Sequence, residues 1–148
     1  MNIKDLEDIE RLEKLEETFV ELKEHADSGA IIVVEGKRDV HSLNILGITG
    51  DIRQATICPL LEFTESLAKS GKEIILLTDW DTKGGILAKK IRDHLAVYGI
   101  MPNKQIRSKI RNLVKKRIKD IESLSRYAAK LRYEVRGEMS SFHEDILE

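Results

Sequence analysis

The sequence predicts an α/β fold with a parallel sheet of about three or four strands flanked by helices. Apolar runs of strand length alternate along the chain with amphipathic segments of helical length. The runs at residues 30–34 and 74–77 are apolar without interruption, which is typical of strands that are buried on both faces. Acidic residues follow both runs within two positions, at the point where open α/β sheets place their ligands.

The N-terminal segment predicts a helix from Asn2 to about Ala26. Its apolar residues recur at three- and four-residue steps, and Asp27, Ser28 and Gly29 form a stop signal. The apolar stripe can pack on the sheet of its own domain or on a partner helix, including that of a second copy of the chain. The elements predicted next are a strand at 30–34, a helix at 37–46, a strand at 52–57, a helix at 60–70, a strand at 74–77 and a helix over 86–95.

The C-terminal third predicts helices rather than strands. Residues 98–102 are too few to predict a strand, so a fourth strand stays open. Asn103 is a suitable N-cap for one or two helices that reach about Glu134, with a break near Lys116. We therefore predict one domain with four parts: an N-terminal amphipathic helix (1–28), a core (29–102), a basic helical extension (103–136) and an acidic tail (137–148).

Composition indicates a single soluble domain. The chain has 148 residues, of which 41% are hydrophobic and 34% charged, with no apolar run of membrane-spanning length and no signal-peptide pattern. The single cysteine, Cys58, excludes an internal disulfide and is expected to be a small core residue. These features predict a cytoplasmic protein.

The net charge of −1 conceals a strong segregation of charge along the chain. Residues 1–30 carry four basic and ten acidic residues, whereas residues 103–136 carry twelve basic and three acidic ones. One interpretation is a surface that binds a phosphate backbone; the other is a solvated helix face paired with the acidic N-terminal helix of the same or a neighbouring chain. The basic residues that crowd together are Arg107, Lys109, Arg111, Lys115, Lys116, Arg117 and Lys119.

Carboxylates at two strand ends form the candidate site. Asp79 and Asp81 are two residues apart, so on an extended strand end both side chains point the same way and could hold Mg²⁺. Alternatively, one of them caps the following helix. Glu35 follows the other buried strand, and because parallel strands end at the same edge, it can converge with the aspartates. Trp80 faces away from the aspartates and is expected to pack in the core, with base stacking as the alternative.

The residues Glu35-Gly36-Lys37-Arg38-Asp39 and Asp79-Trp80-Asp81-Thr82-Lys83-Gly84 resemble the two signatures of the Toprim domain, Glu-Gly-x-x-Asp and Asp-x-Asp-x-x-Gly. Both signatures are complete, and the resemblance covers roughly residues 30–98. That family includes catalytic domains of topoisomerases, bacterial-type primases, recombination proteins and small nucleases such as the one that matures the smallest ribosomal RNA. The chain looks most like the small stand-alone Toprim proteins of archaea and bacteria, which implies a Rossmann-like Toprim fold.

The resemblance implies roles for individual residues. Glu35 matches the family's general acid/base, which can share in metal binding, and Asp79 and Asp81 match its magnesium pair, for which Mn²⁺ is a substitute. Asp39 matches a supporting acid, and Gly36 and Gly84 would keep the turns tight. Lys37 and Lys83, which lie in the same signatures, join the basic residues listed above as expected nucleic-acid contacts.

These roles imply a Mg²⁺-dependent protein that acts on nucleic-acid phosphodiesters. A nuclease or related phosphotransfer enzyme is the first hypothesis, and the likeness to the small nucleases favours RNA processing. A topoisomerase would need a tyrosine-bearing partner domain, and a primase would need zinc- and helicase-binding parts. The alternatives are a non-catalytic nucleic-acid or ribonucleoprotein binding module and a nucleotide-binding regulator. No glycine-rich phosphate loop, histidine metal motif or nucleophile elbow accompanies the acidic residues.

Overall fold

Three parallel strands lie at the centre of the fold. The computed structural model describes residues 3–147 and the side chains of residues 4–137, so Asn2 and most side chains of the predicted acidic tail lie outside the description. The order of helices and strands confirms the predicted α/β class. The elements are α1 (Ile3–Asp27), β1 (Ile31–Val34), α2 (Lys37–Ile45), β2 (Asp51–Gln54), α3 (Leu60–Lys69), β3 (Ile74–Leu76), α4 (Thr82–Ala96), α5 (Gln105–Val114) and α6 (Leu124–Leu147).

The sheet has the order β2–β1–β3, and all pairings are parallel. At the outer edge of β3, Asn103 makes a single parallel bridge with Ile75. The N–H of Asn103 donates to the carbonyl of Ile74 (2.7 Å), and the N–H of Leu76 donates to the carbonyl of Asn103 (3.0 Å). The sequence did not decide whether a fourth strand exists. In the described part of the chain, the sheet has three strands, and Asn103 adds a single bridge at the edge of β3.

The strand β1 divides the core into two layers because its side chains alternate between the faces of the sheet. Ile32 and Val34 pack in a cluster with buried residues of α1, α5 and α6. Ile31 and Val33 pack in a second cluster with residues of α3 and α4. All four side chains are fully buried, and each such burial contributes about 1.5–3 kcal/mol relative to exposure. This is the physical reason for the uninterrupted apolar run.

Most of the apolar stripe of α1 is covered by the chain itself. Leu15, Phe19 and Leu22 are buried in the larger cluster, together with residues of α5 and α6. This part of the stripe therefore packs inside its own domain, whereas Leu6 is 56% exposed. The homodimer contact through this helix stays a prediction. No helix among the described residues has the length and apolar character needed to cross a membrane.

The helical extension is broken between α5 and α6, where a break near Lys116 was predicted. Residues 115–123 form this connection, which we call the 115–123 segment. Ile121 within it is fully buried in the larger cluster. The segment is thereby fixed next to the loop that follows β3, which places it at the site described below.

Candidate active site at the carboxyl edge of the sheet

The carboxyl ends of β1 and β3 bring the predicted acidic residues to one edge of the sheet. Glu35 follows β1, and its backbone carbonyl accepts hydrogen bonds from the N–H (3.3 Å) and the Oγ1 (2.7 Å) of Thr56. Thr56, the second residue after β2, thus fixes the backbone at Glu35. Asp79 and Asp81 follow β3, and the charge of Asp81 acts on the Glu35 carboxyl. The predicted convergence of the two strand ends is present.

The Glu35 side chain is a half-buried carboxyl without full hydrogen bonding. Its Oε1 is buried and has no hydrogen-bond partner among the described residues. Burial raises the pKa of Glu35, and the charges of Asp81 and Asp39 raise it further, whereas Lys83 and a hydrogen bond with Asp79 lower it. An orphaned oxygen in such a position is costly unless a ligand satisfies it.

Asp79 is held by the 115–123 segment. Its Oδ1 accepts a hydrogen bond from the backbone N–H of Ile121 at 2.9 Å. Burial nevertheless raises the pKa of Asp79 to about 7, and the charges of Asp39, Glu35 and Asp120 also raise it. Carboxyl groups that share a site raise one another's proton affinity in this way. Near neutral pH, Asp79 therefore exchanges its proton readily.

Asp81 and Asp39 both stabilise helix starts. Oδ1 of Asp81 accepts from the N–H of Gly84 (2.7 Å) and so caps α4, which confirms the alternative interpretation for this residue. Its other oxygen has no hydrogen bond to a described residue. Oδ2 of Asp39 accepts from the N–H of Gly36 (3.0 Å) at the start of α2. Burial raises the pKa of Asp39, and the charges of Glu122 and Asp120 raise it further. The hydrogen bond from Gly36 lowers it.

The donor chemistry of this edge fits a hard divalent cation. Among the described residues, no three Asp, Glu, His or Cys side chains already converge on one point that would hold a metal ion. However, Glu35 offers a buried oxygen that lacks a partner, and its carboxyl lies within reach of both aspartates, since the charge of Asp81 raises its pKa and a hydrogen bond with Asp79 lowers it. Burial, and after it the charges of neighbouring carboxylates, raise the pKa values of Glu35 and Asp79, and a cation bound at this edge would offset both effects.

The two signature glycines serve different purposes. A Cβ on Gly84 would lie 2.0 Å from the backbone oxygen of Asp79, so only glycine fits this close approach. A Cβ on Gly36 would meet nothing within 4 Å, and its φ of −150° is extended backbone that any residue adopts. Neither the φ of Gly36 nor the space around it therefore requires glycine, and the tight-turn role stays a prediction. Its missing side chain leaves open space beside Glu35.

Arg107 holds the acidic loop by its backbone. Its Nε donates to the carbonyl of Thr78 (2.8 Å), and its Nη2 donates to the carbonyl of Asp79 (2.7 Å). Burial lowers the pKa of Arg107, and the nearby charge of Arg111 also lowers it. Arg107 is thus a positioning residue for Asp79, a role that the sequence did not reveal.

Part of the basic extension faces the acidic helix α1 instead of the sheet edge. Lys109 Nζ lies 2.8 Å from Glu21 Oε2, and Lys116 and Arg117 line a cavity of about 300 Å³ with Glu7 and other residues of α1. The interpretation as a helix face paired with the N-terminal helix is confirmed for Lys109. Among the other predicted nucleic-acid contacts, Lys83 lies close enough to Glu35 for its charge to lower the pKa of that carboxyl. The remaining ones are exposed: Lys37, Arg111, Lys115 and Lys119.

Trp80 anchors the 115–123 segment. Its ring packs against the larger core cluster, which agrees with the expected packing role. Its Nε1 donates to the carbonyl of Ile118 (2.8 Å), and its backbone N–H donates to the carbonyl of Lys119 (3.2 Å). Asp79 and Trp80 thus bind the same segment through neighbouring positions.

A second basic surface lies between α2 and α6, where sequence reasoning did not place one. Arg38 and His41 on α2 and Arg126 on α6 line this surface. Arg38 and His41 are three residues apart, so their helical spacing signalled a shared face. Nothing in the local sequence indicated that α6 packs against it.

The comparisons with known proteins agree with this geometry. The model of the Toprim domain matches residues 30–122. A UPF0292 protein of Methanosarcina acetivorans is 50% identical over 122 residues, which cover 82% of this chain and 85% of that protein. A UPF0292 protein of Methanocaldococcus jannaschii is 43% identical, with 82% and 94% covered. The solved structure of a putative protein from Aquifex aeolicus has a TM-score of 0.61 and 28% identity, and covers 72% of this chain and 94% of its own. The chain therefore belongs to the Toprim domain family, among its relatives named UPF0292 proteins.

Proposed function

We propose that this protein is a Mg²⁺-dependent enzyme that acts on nucleic-acid phosphodiester bonds, and that it is a nuclease. The observation that carries this proposal is the Glu35 carboxyl, whose buried Oε1 lacks a partner beside two aspartates at the sheet edge. A structural carboxylate would be expected to have its buried oxygens satisfied. Membership of the Toprim family supports a role that involves metal and nucleic acid.

Each acidic residue has a distinct proposed role. Asp79 and Asp81 would hold Mg²⁺, with Glu35 able to share in binding it. When bound, the cation would neutralise charge that builds on the phosphate oxygens during cleavage. Glu35 would take or give the proton of the attacking or leaving oxygen, since its raised pKa lies closer to neutral pH than that of an ordinary glutamate.

Neighbouring residues would position the substrate. The open space beside Gly36 leaves room for a phosphate next to Glu35. The charge of Lys83 acts on Glu35, so this lysine lies close enough to bind a phosphate at the same edge. Lys37, Arg111, Lys115 and Lys119 are exposed and would extend the contact along the backbone. Lys109, Lys116 and Arg117 would contribute only in part, because they also face α1.

RNA is the proposed substrate class. This preference rests on the resemblance of the two signatures to those of the small RNA-maturing nucleases. The basic residues are not arranged as a motif that reads base edges, so we expect recognition by backbone and shape. Mn²⁺ is expected to replace Mg²⁺ because both accept oxygen ligands.

A non-catalytic nucleic-acid binding module is the second candidate. Asp81 already caps α4, and Asp79 already binds the N–H of Ile121. These contacts give both aspartates a structural use without metal. In that case the exposed basic residues would bind nucleic acid, and changes to Glu35 would leave binding intact.

The decisive experiment compares cleavage by four proteins. Labelled structured RNA, single-stranded DNA and double-stranded DNA are incubated with EDTA, Mg²⁺ or Mn²⁺. The wild type is compared with Glu35→Gln, with Asp79→Asn/Asp81→Asn and with Asp93→Asn, which removes an exposed carboxylate elsewhere on α4. We expect metal-dependent cleavage of RNA by the wild type and Asp93→Asn only. Salt-sensitive binding without cleavage would favour the binding module.

A further inference from the structure

The helices α2 and α6 form a cleft of about 460 Å³, which the two sequence signatures did not predict. Arg38 and His41 line it from α2 and Arg126 lines it from α6, and among the described residues Glu122 is the one acidic residue of the lining. The N–H of Ser125 donates to Oγ of the buried Ser42 at 3.1 Å, which joins the two helices at the cleft. The helix α6 begins after residue 122, where the Toprim match ends. The α2–α6 cleft is therefore a feature that the extension adds to the domain.

The cationic groups of the cleft are available to a ligand. Arg126 makes no ion pair with any residue whose side chain the structure describes, since none of the observed pairs includes it. The Arg38 side chain is 83% exposed, and among the described residues its guanidinium pairs only with Glu122, at 3.4 Å. Exposed pairs of this length contribute little to stability, so a stronger anionic partner can replace Glu122. A planar guanidinium suits a phosphate because it can donate two parallel hydrogen bonds.

The cleft also offers apolar surface next to its charges. Ile45 lines it and is 61% exposed, and Ala129 lines the opposite helix. A surface with two guanidinium groups beside the apolar side chains of Ile45 and Ala129 matches the composition of a nucleotide, which has an anionic phosphate and a base with apolar faces. An inorganic anion alone would not require the apolar part.

The cleft adjoins the proposed reaction site. Arg38 is three residues from Glu35, so their Cα atoms are at most about 11 Å apart. A stacked strand advances about 3.4 Å per nucleotide, which makes this span about three nucleotides. Glu122 lines the cleft, and its charge also acts on Asp39 at the start of α2. A single strand whose phosphate lies at Glu35 can therefore continue across the cleft.

We propose that the α2–α6 cleft binds a phosphate of the polynucleotide within about three nucleotides of the reacting phosphate, through Arg38 and Arg126. This inference rests on the proposed function for the location of the reacting phosphate. The cleft orients the strand along α2, so that it enters the acidic edge from one side. Arg38 and Arg126 are binding and positioning residues and take no part in proton transfer.

The test measures binding separately from cleavage. Fluorescence anisotropy of a labelled short single-stranded RNA is recorded in EDTA over a series of salt concentrations. The variant Arg38→Gln/Arg126→Gln is compared with Lys69→Gln/Lys72→Gln, which removes two exposed positive charges at the opposite edge of the sheet. Labelled AMP is titrated in parallel to distinguish a free nucleotide from a polynucleotide. Circular dichroism verifies that all variants are folded.

We expect the cleft variant to bind RNA about five- to tenfold more weakly at low salt and to lose about 1.4 from the slope of log affinity against log salt, about 0.7 for each contact. The control variant should match the wild type. Unchanged RNA affinity and slope, an equal loss in the control, or arginine-dependent binding of AMP without RNA binding would each overturn the proposal. Arginine-dependent RNA binding without any metal-dependent cleavage would overturn the proposed nuclease function alone.

Discussion

The backbone N–H of Ile121 donates a 2.9 Å hydrogen bond to Oδ1 of Asp79, across 42 residues of sequence. The same loop is bound to the 115–123 segment through Trp80, which donates to the carbonyls of Ile118 and Lys119. The acidic loop after β3 is therefore held from outside the sheet. This arrangement keeps Asp79 half-buried without metal, at a cost that depends on its protonation.

The first prediction concerns that cost. Because the pKa of Asp79 is raised to about 7, the folded state disfavours the ionised form. The metal-free fold then loses stability as the pH rises from about 4 to 7 and carries the full penalty above pH 7. Asp79→Asn keeps an oxygen for the N–H of Ile121 but removes the charge. We expect it to be more stable than the wild type at pH 8 by about 1–2 kcal/mol after allowance for partial exposure, which is about 3–8 °C in Tm.

Thermal unfolding in EDTA, followed by circular dichroism at pH 4 and pH 8, measures this effect. The two proteins should have similar Tm values near pH 4, where Asp79 is protonated. Asp93→Asn is the control because Asp93 is exposed on α4, and it should change Tm little at either pH. An Asp79→Asn variant less stable than the wild type at pH 8 would contradict a costly charge at this position.

The second prediction concerns magnesium and protons. A proton on Asp79 competes with the cation, so affinity for Mg²⁺ should fall by up to about tenfold per pH unit below 7 and level off above it. Calorimetric titration at pH 6, 7 and 8 measures this, and proton release should be largest below pH 7. Asp81→Asn should weaken binding at every pH, whereas Asp93→Asn should not. An affinity that does not change with pH would show that Asp79 is not a ligand.

The position of the acidic residues at the strand ends could be predicted from the sequence alone. The uninterrupted apolar runs that became β1 and β3 are fully buried, and the acidic residues after them follow from the direction of parallel strands. The capping role of Asp81 was also an explicit alternative. Local periodicity and turn chemistry carry all of this information, since they depend on residues a few positions apart.

The long-range contacts of α5 could not be predicted from the sequence in the same way. Arg107 binds the carbonyls of Thr78 and Asp79 from 29 and 28 residues away, and Lys109 pairs with Glu21 from 88 residues away. The pattern of charges showed that residues 103–136 are basic and residues 1–30 acidic, and it left open whether the basic residues pair with the N-terminal helix or face a phosphate backbone. Which basic residue faces the sheet edge and which faces α1 depends on how α5 packs, and no local pattern specifies that rotation.

The third prediction tests Arg107 as a positioning residue. Arg107→Gln removes two hydrogen bonds to the carbonyls of the buried Thr78 and the half-buried Asp79, which should cost about 1–3 kcal/mol in the free energy of unfolding. The loop that carries Asp79 should loosen, so Mg²⁺ affinity should fall as well. Arg111→Gln is the matched control, since Arg111 is exposed on the same helix, and its change should stay within about 0.5 kcal/mol.

Chemical denaturation and magnesium titration of both variants measure these effects. If Arg107 served only to bind the substrate, Arg107→Gln would unfold at the same denaturant concentration as the wild type and would bind Mg²⁺ equally well. A loss of stability in Arg111→Gln as large as that in Arg107→Gln would indicate a general charge effect on α5 instead.

The fourth prediction compares two adjacent glycines in the first turn of α4. A Cβ on Gly84 would lie 2.0 Å from the backbone oxygen and 2.5 Å from the carbonyl carbon of Asp79, whereas a Cβ on Gly85 would meet nothing within 4 Å. Gly84→Ala must therefore push the backbone of Asp79 away, at a cost of about 3 kcal/mol or more. Gly85→Ala should be neutral or stabilise the helix by up to about 1 kcal/mol.

Urea denaturation of the two variants, together with magnesium titration, distinguishes steric fit from helix propensity. If only propensity mattered, both alanines would stabilise the protein, because both sites lie within α4. A destabilised Gly84→Ala with weakened Mg²⁺ binding, beside an unimpaired Gly85→Ala, would show that the close approach at Gly84 sets the position of Asp79. The second signature would then need its glycine for the geometry of the acidic loop, since the helix itself tolerates alanine.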